Sequence, residues 1–109
     1  MYGRLSVFRD EAQPLQRSQL TAAFSVGSQI IQLRHIASRL ELDTALDSPL
    51  DALARGKSAI AVERFASVDR VLASRSDANP AALRARGLIL AISNALTQHA
   101  ACFDAGAPG

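Results

Sequence analysis

From Pro14 onward, apolar residues recur at Ala23, Val26, Ile30, Leu33, Ala37 and Leu40. Steps of three and four set one face of an α-helix and no face of a strand. Pro14 suits a first helical turn, because the N–H it lacks would be unpaired there in any residue. Leu20, Phe24 and Ile31 widen the apolar face, and the spacing predicts a helix to about Glu41, roughly 40 Å long at about 1.5 Å per residue. In a chain of 109 residues, so long a helix leaves space for one compact domain, whose remaining segments must cover it.

Prolines and turn residues divide the rest. The stretch Leu42 to Asp47 is short and acid-flanked, and Ser48-Pro49 reads as an N-cap hydroxyl followed by a proline at the first helical position. Gly56 interrupts this second helix after about two turns, and Ala61, Phe65, Val68 and Leu72 resume the spacing up to about Ser74. A polar turn over Arg75 to Ala78 precedes Asn79-Pro80, which repeats the cap-then-proline signal. The third helix carries Ala85, Ile89, Ile92, Leu96 and Phe103 on one face, with His99 and Ala100 in step. The tail from Asp104 to Gly109 is too rich in Gly and Pro to continue it. Amphipathic helices on short connections pack as antiparallel neighbours. The fold class predicted is therefore all-α: an up-down-up helical bundle of about three long helices, the second broken near Gly56. Residues 1–13, with Leu5, Val7 and Phe8 but no sustained period, form a lead-in; residues 14–104 form the bundle and 105–109 a flexible tail.

Composition narrows the function classes. The chain is 49% apolar, and its 12 basic and 10 acidic residues nearly balance, which is not the composition of a disordered chain. Acids alternate with the basic residues, so no nucleic-acid stripe is evident. With 5% aromatic residues, the core is built from Ala, Leu, Ile and Val, and Gly27 and Gly87 read either as places where another backbone comes close or as tolerated drift at a cost of about 1 kcal/mol each. The single cysteine, Cys102, has no internal partner, points to a reducing compartment and reads as a small core hydrophobe. The longest apolar run, Leu88 to Ile92, falls far short of the ~20 residues that span a bilayer, and Met1 to Arg4 do not open a signal peptide. The chain is expected to be soluble when isolated, with no direct membrane insertion.

A search for chemistry finds no nucleophile elbow, no Gly-rich phosphate loop, no cysteine pair and no His-Glu-x-x-His spacing, so no catalytic residue, cofactor or metal is assigned. His35, after Leu33-Arg34, invites comparison with the phosphoacceptor of a helical phosphotransfer domain. The following Ile36-Ala37-Ser38-Arg39 lack the lysine and small-residue pattern of such a site, and His35 reads as a surface histidine. His99 lies on the apolar seam of the third helix and reads as a hydrogen-bonded structural residue. Arg34 either snorkels, with its methylenes on the apolar face, or is buried against a carboxylate, for which Glu63, Asp69 and Asp104 are candidates. The pairs Asp10-Glu11 and Glu41-x-Asp43 read as solvated capping groups.

Four motifs carry a resemblance: Pro14-Leu15-x-Arg17, Gly27-x-x-Ile30-Ile31-x-Leu33-Arg34, the Ala-Leu-Ala-Arg-Gly of Ala52 to Gly56, and Leu96-Thr97-x-His99-Ala100-Ala101-x-Phe103. Together they make nearly the whole chain similar to the cytoplasmic C-terminal region of the fusaric acid resistance family, bacterial inner-membrane permeases also called aromatic acid exporters. Cys102 stands where an aromatic residue is expected, a departure that bears on packing. The resemblance implies a structural, assembly or regulatory domain on the cytoplasmic face of the inner membrane. Its implied partner is the membrane-spanning part of the same permease, and the transport path lies in sequence this chain does not contain. Pro14, Arg17, Gly27, Leu33, Arg34, His99 and Phe103 are the motif or interaction candidates. A free-standing helical adaptor is the alternative. In either case second apolar stripes, Leu20-Phe24-Ile31 and Leu88-Ala95, leave area for self-association or docking, unless the lead-in folds over them.

Overall fold

In a computed structural model, the described residues are 17–75 and 79–104. They form five α-helices and one 3₁₀ turn: α1 Arg17–Arg39, the turn Thr44–Leu46, α2 Asp47–Ala54, α3 Ser58–Ala73, α4 Pro80–Gln98 and α5 Ala100–Phe103. No strand occurs among the described residues, so the all-α prediction holds, while a count of about three helices is too coarse. Pro14, the lead-in and the tail lie outside the described residues.

The three longest helices bury the faces their spacing predicts. Val26, Leu33 and Ala37 of α1, with Leu40 just past its end, join Ala61, Phe65, Val68 and Leu72 of α3 and Ala82, Ala85, Ile89, Ile92 and Leu96 of α4 in one core. Helix α4 packs against both α1 and α3, and α2 packs against α3. Two contacts fix the direction of α1 on α4. The Cys102 Sγ, just past α4, lies 3.6 Å from the Gln19 carbonyl oxygen near the start of α1. At the other end Arg75 Nη1, before α4, donates to the Leu40 carbonyl at 2.9 Å. The two helices therefore run antiparallel.

Several local readings are corrected. Ser48 does not cap α2, because the 3₁₀ turn runs into the helix and the position before Asp47 is Leu46, with helical backbone and no side-chain cap. Ser48 instead offers its carbonyl oxygen to Arg64 Nη1 at 3.2 Å. Asp43 likewise makes no side-chain capping bond. The third helix is not continuous to Phe103: it ends at Gln98, and His99, at φ −122° and ψ 41°, separates it from α5. Gly27 and Gly87 approach no other backbone, since a Cβ built on either would meet nothing within 4 Å. The break at Gly56 is present, with φ at 74°, as is the Asn79 cap, whose Oδ1 accepts from the Ala81 N–H at 2.9 Å.

Candidate interaction surface

Leu20, Phe24 and Ile31 do not widen the buried face of α1. They are 37%, 78% and 64% exposed, and with Gly27 between them they follow the four-three-four step that keeps one stripe on one side of a helix. Leu88 and Ala95, the other stripe expected to be left over, pack against the core instead. The outer face of α1 is thus the apolar surface that the fold leaves open on this helix.

Charge is segregated along the same part of the chain. Helix α1 contains Arg17, Arg34 and Arg39 and no acid, whereas the next segment, 40–54, contains Glu41, Asp43, Asp47 and Asp51 and no base. The two meet at an open cleft of about 510 Å³, with Ile31, Arg34, His35 and Ser38 on the α1 side and Asp43, Leu46, Asp47 and Leu50 on the other. Arg34, Asp43 and Asp47 are all exposed. They belong to neither of the ion pairs found among the described residues, Arg55–Asp51 and Arg86–Asp69.

Two of the three carboxylates foreseen as partners for Arg34 are engaged elsewhere, and Glu63 is exposed on α3. Asp69 Oδ1 accepts from Arg86 Nε at 2.9 Å across α3 and α4. That hydrogen bond, and then the charge of Asp69, raise the Arg86 guanidinium above its ordinary value, with burial a smaller opposing effect. A raised pKa contributes stability that is present below the unfolded-state value and is lost only as pH rises through the folded one, which for a guanidinium lies far above neutral pH. Asp104 Oδ1 accepts from the Ser58 N–H at 3.0 Å, so a residue beyond α5 caps the first turn of α3. Arg34 is exposed, so of its two readings the one buried against a carboxylate does not hold.

The motif residues do not form one site. Leu33 is 1% exposed and belongs to the core. Arg17 opens α1 and is exposed, and Gly27 and Arg34 lie on the outer side of the helix. His99 is half-buried at the α4–α5 junction, and Phe103 packs against the core. Because α1 and α4 are antiparallel, those two sit near the start of α1, away from the cleft at its end. Cys102 is half-buried rather than a core residue. Among the described residues no group of three or more His, Cys, Asp or Glu is placed to hold a metal ion, and no helix is long and apolar enough to cross a membrane. Comparison with known protein families, with curated proteins and with solved structures finds no match to this chain.

Proposed function

We propose that this chain is a non-catalytic helical module that acts by docking through the outer face of α1. One observation supports it above the rest: Phe24 and Ile31, large apolar side chains opposite the core face of their own helix, are 78% and 64% exposed. Burying a side chain of this size is worth about 1.5–3 kcal/mol, and a contiguous apolar patch is a feature of interaction sites. The resemblance to fusaric acid resistance permeases supplies a context, in which the module is the cytoplasmic part of an aromatic acid exporter and docks on that permease's membrane-spanning part. The second reading, a free-standing adaptor, is favoured by the closure of the core within the described residues, where Ala61, Phe65, Ile92 and Leu96 are all 0% exposed.

Co-expression with the membrane-spanning part of a fusaric acid type permease tests the docking reading. The native chain is expected to co-purify with the membrane part, and Phe24→Ser with Ile31→Ser to release it while circular dichroism and melting stay near those of the parent. Co-purification that ignores both substitutions overturns the docking face, and no co-purification by the native chain overturns the permease context.

A further inference from the structure

We infer that the cleft between α1 and the 3₁₀ turn and α2 is the centre of a two-fold contact between two copies of this chain. The inference rests on the docking reading above and concerns the cleft that adjoins the end of that face and shares Ile31 with it. A two-fold interface brings the same patch of both copies together, so the patch must complement itself. Few surfaces do, because a patch of one charge sign repels its twin. This one carries both signs on opposite walls, Arg34 and His35 with Ile31 on one and Asp43 and Asp47 with Leu50 on the other. Within one copy those arginine and aspartate charges are in no ion pair among the described residues. Rotation about an axis through the cleft sets Arg34 of each copy against Asp43 and Asp47 of the other, and Ile31 of each against Leu50 of the other.

Other occupants fit less well. A contact of α1 with α1 alone would set three arginines against three with no acid on either helix. An anionic lipid surface would attract α1 but would be repelled by Glu41, Asp43, Asp47 and Asp51 immediately beside it. Only a partner that is acidic opposite α1 and basic opposite α2 satisfies both walls, and a second copy is such a partner.

Sedimentation equilibrium on the full chain, with circular dichroism on every variant, tests the pairing. The native chain is expected to be a dimer. Arg34→Asp, and separately Asp43→Arg with Asp47→Arg, are expected to keep the helical spectrum and to raise the dissociation constant about tenfold or more, as loss of a close interfacial charge pair does. Mixed together, the two variants should recover a heterodimer, because each junction then again joins opposite signs. A native chain that stays monomeric at millimolar concentration overturns the inference. So does a dimer indifferent to both reversals, or two weakened variants that fail to pair with each other. The charge reversals leave Phe24 and Ile31 in place, so co-purification with a permease read on the same variants distinguishes failure here from failure of the docking reading.

Discussion

At the scale of single residues, space and backbone angle decide what each glycine contributes. Gly27 and Gly87 sit inside α1 and α4 with nothing within 4 Å of an added Cβ, so the helix bears the entropic cost of glycine with no close packing to offset it. Gly27→Ala and Gly87→Ala are each expected to stabilise the fold by up to about 1 kcal/mol in urea titration. At Gly56, with φ at 74°, the same change is expected to destabilise by about 1 kcal/mol, because a Cβ clashes in the left-handed region. Gln29 adds a different kind of cost. Its Oε1 is buried with no hydrogen-bond partner among the described residues, and an unmet acceptor costs about 1–3 kcal/mol; Gln29→Met is expected to raise the melting temperature. A sequence identifies a helical glycine, but whether a neighbour presses on it depends on packing distances that no local spacing encodes. Hence Gly56, marked by turn chemistry, was legible, and the surroundings of Gly27 and Gly87 were not.

At the scale of elements, two helix ends repeat one geometry with different residues. After α1, the Leu42 N–H bonds to the Ala37 carbonyl and the Glu41 N–H to the Ser38 carbonyl; after α2, Lys57 bonds to Ala52 and Gly56 to Leu53 in the same way. Both are Schellman ends, which need a left-handed residue just past the helix. Gly56 meets that need freely, whereas Glu41 adopts φ 60° at a cost of about 1 kcal/mol. Glu41→Gly is therefore expected to stabilise by about that amount, read by chemical denaturation. Helix starts divide similarly. The cap at Asn79 is local, its side chain reaching two residues ahead, and Asn79-Pro80 announced it. The cap on α3 comes from Asp104, 46 positions along the chain, and only the closed bundle brings it there. Asp104→Ala is expected to cost about 1 kcal/mol through the lost cap bond and the lost negative charge at a helix N-terminus, with hydrogen exchange rising first at Ser58 and its neighbours in α3. Ser48 shows the converse: its cap signal was legible, but the preceding 3₁₀ turn already supplies helical backbone, so there is no open helix start for it to cap.

At the scale of the whole molecule, a net charge of +2 conceals a separation of sign, with α1 purely basic and the segment after it purely acidic. The core faces were legible from apolar spacing because burial follows the helical period. The cleft was not, because its walls come from two elements whose relation depends on the turn between them. Ionic strength distinguishes the forces that would hold two copies together there. Apolar pairing through Ile31 and Leu50 alone would be little weakened by sodium chloride, since burial of apolar surface does not depend on screening. Pairing that relies on Arg34 against Asp43 and Asp47 at an exposed cleft should weaken as the screening length falls from about 10 Å at 0.1 M to about 3 Å at 1 M. The native dimer is therefore expected to dissociate progressively over that range in sedimentation equilibrium, while the helical spectrum, set by the apolar core, stays constant. The heterodimer of Arg34→Asp with the Asp43→Arg, Asp47→Arg chain should show a similar salt slope, because it exchanges the signs and keeps the apolar contact. A native dimer whose dissociation constant is flat across the range would assign the pairing to Ile31 and Leu50 instead of to the charged walls of the cleft.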